Sequence, residues 1–122
     1  MRGLGSAVRV TQWIDLASVL CSTDLVVCHG GAGTTLAALA AGLPLVLVPQ
    51  GAPSQERMAV ACERRGVGRV GDCSDLADLR KAVHEVAVDD RFAVEAAAVA
   101  TEIACMPEPS TAAGVLTSAV AG

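Results

Sequence analysis

The chain has 122 residues, of which 52% are hydrophobic, so it is long and apolar enough for one domain with its own core. Charged residues make up 18% and aromatic residues 2%, with a formal net charge of −4. This composition excludes a disordered chain and offers neither the basic face nor the aromatic ladder of a general nucleic-acid binder. No apolar run reaches membrane-spanning length, and no secretory signal is recognisable, so we expect a cytoplasmic protein without a membrane span.

The cysteines give the same indication about compartment. They are odd in number, widely spaced and without a C-x-x-C pair, which argues against a disulfide framework or a zinc site. The two histidines, His29 and His84, lie far apart in the sequence, so we expect no metal. We interpret the cysteines as buried thiols in a reducing cytoplasm. They are Cys21, Cys28, Cys62, Cys73 and Cys105.

Short β-branched runs alternate with longer segments rich in Ala and Leu over the first 70 residues. The run 45–48 (LVLV) is apolar at every position, which is typical of a strand covered on both faces. The alternation predicts an α/β fold, a Rossmann-like parallel sheet with flanking helices. The predicted strands cover 8–11, 25–28, 45–48 and 68–70, and the predicted helices between them cover 15–21, 34–41 and 55–65.

Further helices are predicted after this core, over 75–88, 91–105 and 110–121. Ser74 precedes the first of them and Ser110 begins the last, and both are expected to act as N-caps. We interpret residues 1–122 as one domain, with a Rossmann-like core over about 8–70 and C-terminal helices over about 75–121.

A glycine-rich turn, HGGAGTT, starts at His29 and joins a buried strand to a helix. Glycines permit a close approach of the backbone to a ligand. The first amides of a helix have no partner inside it, and the helix dipole favours negative charge there, so such a turn can cradle a phosphate. Thr34 and Thr35 would add hydroxyl donors. The alternative is a tight turn that needs small residues for packing alone, and neither the dinucleotide fingerprint nor a P-loop lysine is present.

Ligands of parallel sheets bind at the carboxyl ends of strands, which directs attention to two other places. Gln55 follows the strand 45–48, and its amide suits sugar hydroxyls; a solvated glutamine at a helix start is the alternative. Ser54 is expected to cap the same helix. Trp13, the single tryptophan, is either a core residue or a stacking platform for a nucleobase.

The run HGGAGTTLAALAAGLPLVLVPQGAPSQERMA resembles the nucleotide-sugar signature of bacterial GT-B glycosyltransferases of family 1 type. The nearest likeness is to enzymes that transfer deoxysugars onto macrolides, enediynes and glycopeptides, as in antibiotic biosynthesis. The resemblance extends over about 8–70 and implies part of the C-terminal domain, which binds a nucleotide diphosphate sugar. An N-terminal domain would bind a hydroxylated small-molecule acceptor across a cleft.

The resemblance also implies roles for individual residues. His29 would contact the diphosphate, Trp13 would lie beside the base, and Ile14 would offer its backbone to the base edge. Ser54 and Gln55 match the Asp-Gln pair that holds sugar hydroxyls. The phosphate-binding segment would comprise Gly30, Gly31, Ala32, Gly33 and Thr34.

The sequence departs from the family pattern at several positions. Ser54 replaces the usual Asp, Met58 stands where Asn is common, and Pro53 lengthens the loop. Ala37 stands where many users of uridine diphosphate (UDP) sugars carry a Glu that holds the ribose hydroxyls. This favours a thymidine diphosphate (dTDP) sugar as donor substrate, with a UDP sugar as the alternative, and no separate cofactor is implied.

The catalytic base of the family is a His in the N-terminal half, and no residue here matches it; His84 is interpreted as structural or solvated. We therefore expect donor binding, as half of an inverting transferase, without transfer by this chain alone. A non-catalytic nucleotide-binding module or a structural remnant is the alternative. We also expect this chain to be a fragment whose open sheet edge causes self-association or pairing with a complementary chain.

Overall fold

The computed structural model describes residues 7–121. A three-stranded parallel sheet organises the fold, in the spatial order β1 (Val26–Cys28), β2 (Leu45–Leu47) and β3 (Gly68–Val70). Val26 of β1 and Gly68 of β3 both pair with Leu45, so β2 is the central strand. The prediction of a parallel α/β sheet with flanking helices is confirmed.

Helices connect and flank these strands. A short helix precedes β1, one helix follows each of the three strands, and two more complete the described part of the chain. They are α1 (Leu16–Leu20), α2 (Ala32–Ala40), α3 (Pro53–Arg65), α4 (Leu76–Val88), α5 (Asp90–Ala104) and α6 (Pro109–Ala121). None of these helices combines the length and apolar character that a bilayer span requires.

The central strand explains why the core lies on both faces of the sheet. Side chains alternate along a strand, and here both sets are buried. Leu45 and Leu47 pack into a cluster with residues of α2, α3 and α5, whereas Val46 and Val48 pack against α4 and Phe92. The uninterrupted apolar run therefore reflects helices that cover both sides, as the sequence predicted.

The approach of β3 to β2 depends on one glycine. A Cβ atom on Gly68 would overlap the carbonyl oxygen of Leu45 and would lie 2.9 Å from its carbonyl carbon. A side chain at this position is therefore incompatible with the observed spacing. The outer edge of β3 is closed differently, because the Glu63 carboxylate accepts a hydrogen bond from the Val70 N–H at 2.9 Å.

Several predicted helix ends are confirmed, and others are wrong. Gly42 and Gly66 end α2 and α3 with φ angles of +75° and +81°. Asp75, not Ser74, caps α4, because its carboxylate accepts from the amides of the first turn. Ser110 lies inside α6 instead of capping it, since Pro109 already occupies the first helical position.

The strand predicted at 8–11 is wrong. No described strand pairs with these residues, and Val8 and Val10 are 48% and 61% exposed. β-branched composition favours a strand only where a neighbouring strand and a packed face are available.

The expectation of buried thiols is wrong for most of the cysteines. Cys62 is buried and Cys28 is half-buried, but the other three are exposed, and all five are unbridged. Burial raises the pKa of the Cys62 thiol, and nearby Cys28 adds to this effect. The exposed thiols lie in turns that follow α1, β3 and α5, which the wide spacing in the sequence did not distinguish from core positions.

Candidate functional site

The glycine-rich turn leads from β1 directly into α2, two residues earlier than predicted. Gly31 is the N-cap, and the first backbone bond of the helix runs from the Thr35 N–H to the Gly31 carbonyl at 3.0 Å. The amides of Ala32, Gly33 and Thr34 therefore have no backbone partner within residues 7–121, and no side chain caps them. Unpaired amides at a helix N-terminus attract anions, through both hydrogen bonding and the helix dipole.

The space in front of these amides is open. Ala32 and Gly33 are exposed, and no atom lies within 4 Å of the place where a Cβ on Gly33 would sit. The amides are not sealed beneath neighbouring side chains, so a phosphate-sized anion can approach them.

His29 lies against the same turn. A Cβ added to Gly31 would come within 2.5 Å of the His29 Nε2 atom, so the imidazole occupies the space that the glycine leaves. The φ angle of Gly31 is −64°, which any residue can adopt, so the glycine is needed for the ring and not for the backbone. His29 is exposed, and its ring can therefore donate to a ligand held by the turn.

Gly30 joins this turn to the loop after β2. Its φ angle of +93° favours glycine, and an added Cβ would lie 3.2 Å from the Gln55 backbone oxygen. Gln55 is thereby placed beside the turn, as expected for two loops that follow neighbouring parallel strands.

The Gln55 side chain is held by a residue that the sequence analysis missed. Its Oε1 atom accepts a hydrogen bond from the backbone N–H of Gln50 at 2.8 Å. The Gln50 Nε2 atom in turn donates to the Val48 carbonyl at 2.9 Å. The available signal was the position of Gln50 as the first polar residue after the apolar run 45–48.

Two hydroxyl residues differ from expectation. Thr35 is fully buried, with its Oγ1 atom 3.9 Å from the Cys28 sulfur, so it faces the sheet and is no donor to a ligand. Ser54 does not cap α3, because the helix begins at Pro53 with Ala52 as its N-cap. Thr34 is half-buried in the first turn of α2, whereas Ser54 is exposed in the first turn of α3.

Trp13 is no core residue, since it is 79% exposed, and Ile14 is 43% exposed. The Thr11 hydroxyl holds the Trp13 backbone, donating to its carbonyl at 2.7 Å and accepting from its amide at 3.4 Å. None of the hydrogen bonds formed by residues 7–121 links Trp13 to the glycine-rich turn. The structure thus joins His29, the turn and Gln55, but leaves Trp13 outside this group.

This chain is similar to a known protein family and to individual proteins of known name. The family model described as "Erythromycin biosynthesis protein CIII-like, C-terminal domain" matches residues 1–118. Elloramycin glycosyltransferase ElmGT of Streptomyces olivaceus is 41% identical over 112 residues, which are 92% of this chain and 28% of that protein. NDP-glycosyltransferase YjiC of Bacillus licheniformis is 37% identical over 78 residues, 62% of this chain and 19% of that protein.

Solved structures of glycosyltransferases are also similar to this chain. Spinosyn forosaminyltransferase SpnP matches with a TM-score of 0.90 and 29% identity, over 100% of this chain and 33% of that one. Glycosyltransferase VinC, solved in complex with DTDP, matches with a TM-score of 0.81 and 26% identity, over 89% of this chain and 28% of that one. This chain spans about a third or less of these relatives. It belongs to the erythromycin biosynthesis protein CIII-like C-terminal domain family, and its relatives are natural-product glycosyltransferases with the GT-B fold.

Proposed function

We propose that this chain binds the diphosphate of a nucleotide-sugar donor at the N-terminus of α2, as the donor half of an inverting glycosyltransferase. The carrying observation is that the open amides of Ala32, Gly33 and Thr34 lie beside the His29 ring on the same turn. The solved complex of the relative VinC with DTDP supports this choice of ligand.

The chemistry required of the turn is the stabilisation of a leaving group. In an inverting transfer, an acceptor hydroxyl attacks the anomeric carbon on the side opposite the diphosphate. The bond from that carbon to the phosphate oxygen breaks, and its electron pair leaves with the diphosphate. Backbone amides aimed at those oxygens, with a His29 ring N–H beside them, stabilise the charge that develops there.

The base and the acceptor would come from elsewhere. We assign no residue of this chain to removal of the acceptor proton. Because relatives are about three times as long or more, their additional part is the expected source of the base and of the binding site for a hydroxylated small molecule.

The proposed nucleotide is thymidine diphosphate. Ala37, in the second turn of α2, has no side-chain oxygen that could accept a hydrogen bond from a ribose 2′-hydroxyl. Trp13 and Ile14 are the proposed contacts for the base, and the exposure of the Trp13 ring leaves it accessible for stacking.

Titration calorimetry of the chain with dTDP, UDP and thymidine tests the proposal. We expect dTDP to bind, UDP to bind more weakly, and thymidine to show little binding. His29→Ala should weaken dTDP binding by about 1–3 kcal/mol, because a charge-assisted hydrogen bond is lost. His84→Ala, on the exposed surface of α4, is the matched control and should leave the affinity unchanged.

The outcomes separate the competing functions. Absence of dTDP binding by the folded wild-type chain would reject donor binding and favour a structural remnant. If dTDP binds, the acceptor-binding part of a relative is added in trans and transfer is assayed. Transfer in that mixture would support the glycosyltransferase half, whereas binding without transfer would favour a non-catalytic nucleotide-binding module.

A further inference from the structure

Gln50 links three segments at the carboxyl edge of the sheet. Its backbone N–H donates to Gln55 at the start of α3, and its side-chain nitrogen donates to the carbonyl of Val48 at the end of β2. The same nitrogen lies 3.7 Å from the sulfur of Cys73, in the segment that follows β3. Gln50 therefore contacts both the segment that follows β2 and the segment that follows β3.

This arrangement determines which end of the Gln55 amide is engaged. A backbone N–H donates only, so the atom that receives it at 2.8 Å is the oxygen of the Gln55 amide. The Nε2 group keeps both of its hydrogens, and it makes no hydrogen bond to another residue within 7–121. Gln55 is half-buried beside Gly30, and its unengaged amide nitrogen can donate to a ligand there.

We propose that Gln50 is a positioning residue, which holds Gln55 so that it presents N–H donors to the sugar of the donor substrate. The inference rests on the proposed function, and it specifies that Gln55 is the hydrogen-bond donor where the sugar of the donor substrate binds. The Gln55 amide nitrogen then donates to a lone pair on a sugar oxygen. Gln50 acts through Gln55 and does not itself touch the ligand.

The test compares the affinities for dTDP and dTDP-glucose in the same chain. We define the sugar increment as the affinity for dTDP-glucose divided by the affinity for dTDP. Gln50→Met keeps the backbone N–H that donates to Gln55 but loses the side-chain bonds to Val48 and Cys73 that hold this N–H in place. The increment should therefore fall about three- to tenfold, the range for one neutral hydrogen bond. The affinity for dTDP alone should change by less than about twofold, because no phosphate contact is altered.

A double-mutant cycle separates positioning from a general structural effect. Gln55→Ala should remove the sugar increment, and adding Gln50→Met to it should have no further effect, because Gln50 acts through Gln55. Cys73→Ala, which removes the other contact of the Gln50 side chain, should lower the increment in the same direction but less. Thr117→Val is the matched control, since it removes a side-chain bond to a backbone carbonyl on α6 and should leave both affinities unchanged.

A spectroscopic signature completes the test. In nitrogen–proton correlation spectra, the Gln55 side-chain amide should shift with dTDP-glucose and not with dTDP, and Gln50→Met should abolish that difference. The inference is overturned if the wild-type chain binds dTDP without any sugar increment, or if Gln50→Met lowers both affinities equally. Failure of wild-type dTDP binding would instead reject the proposed function, so the two failures are distinguishable.

Discussion

The central sheet and the glycine-rich turn both depend on glycine, but for different reasons. In the sheet, Gly68 lets two strand backbones come together, and the atoms that crowd it belong to the backbone of Leu45. In the turn, Gly31 is crowded by the His29 ring, and Gly33 by nothing within 4 Å. The first region uses the missing side chain for packing, whereas the second keeps space beside open amides.

Because of this difference, glycine substitutions in the sheet should change stability, and those in the turn should change ligand binding. A backbone neighbour cannot rotate away, so a side chain added in the sheet must displace a strand. A side chain added at Gly31 or Gly33 meets a rotatable ring or open space, so the fold should tolerate it. Substitutions in the two regions should therefore change different measured quantities.

The largest effect is expected for Gly68→Ala. The added methyl group would overlap the Leu45 carbonyl, and the resulting strand shift should lower the free energy of unfolding by about 3 kcal/mol or more. Urea denaturation followed by circular dichroism measures this change. A loss below about 1 kcal/mol would show that the sheet accommodates the methyl group and would remove the proposed contrast.

Gly31→Ala should act on binding instead. Its backbone angles suit alanine, so the free energy of unfolding should change by less than about 0.5 kcal/mol. The methyl group would displace the His29 ring, so dTDP affinity should fall by about 1–3 kcal/mol, as in His29→Ala. Calorimetry of the double variant checks the cause, because the two losses should not add.

Gly30→Ala tests the position where the glycine-rich turn contacts the start of α3. The φ angle of +93° is unfavourable for alanine, and the neighbouring Gln55 backbone gives little room. The free energy of unfolding should fall by about 1–2 kcal/mol. Because Gly30 abuts Gln55, the sugar increment should also fall; destabilisation with an intact increment would argue against coupling between the two loops.

Gly33→Ala should move stability and affinity in opposite directions. Alanine favours a helix over glycine by about 0.5–1 kcal/mol, and no atom obstructs the new methyl group, so the melting temperature should rise. The same methyl group would occupy the space in front of the α2 amides and weaken dTDP binding. Unchanged dTDP affinity in this variant would place the diphosphate elsewhere.

The smallest effect is expected for the free energy of unfolding at low pH. Hydrogen bonds from the Arg91 side chain and backbone lower the pKa of Asp89, the N-cap of α5, to about 2. A carboxylate with a lowered pKa stabilises the fold above its unfolded value of about 4, and this contribution is lost as the pH falls through about 2. Asp89→Ala should therefore flatten the pH dependence of the free energy of unfolding between those values, measured by urea denaturation at a series of pH values. An unchanged pH dependence in this variant would contradict the role of Asp89.

Much of the fold could be predicted from the sequence because it follows from the pattern of apolar residues and from the glycines that end helices. The apolar run 45–48, with glycines at 42 and 66 ending helices, located β2 and the ends of α2 and α3. The run 8–11 has the same β-branched character, but strand formation there depends on a pairing partner, which composition does not report.

The site could be predicted only in part, because its details depend on which atoms meet across the fold. The resemblance pointed to His29 and the turn, yet the need for Gly31 arises from the position of the imidazole ring. Thr35 and Thr34 are adjacent and chemically alike, but the helix turns the former into the core. The role of Gln50 depends on a bond to a side chain five residues later and on a sulfur in another loop.

The bond between Glu63 and the Val70 N–H gives the sheet a direction of growth. At the β3 side, an incoming strand would find a backbone donor already occupied and a carboxylate in its path. Within residues 7–121 the outer edge of β1 has no strand partner, so an additional strand, from a longer chain or from another copy, should join there more readily than at β3. Replacing Glu63 would therefore leave a second sheet edge free for strand pairing. Copies of the chain could then pair at both edges and form open-ended assemblies.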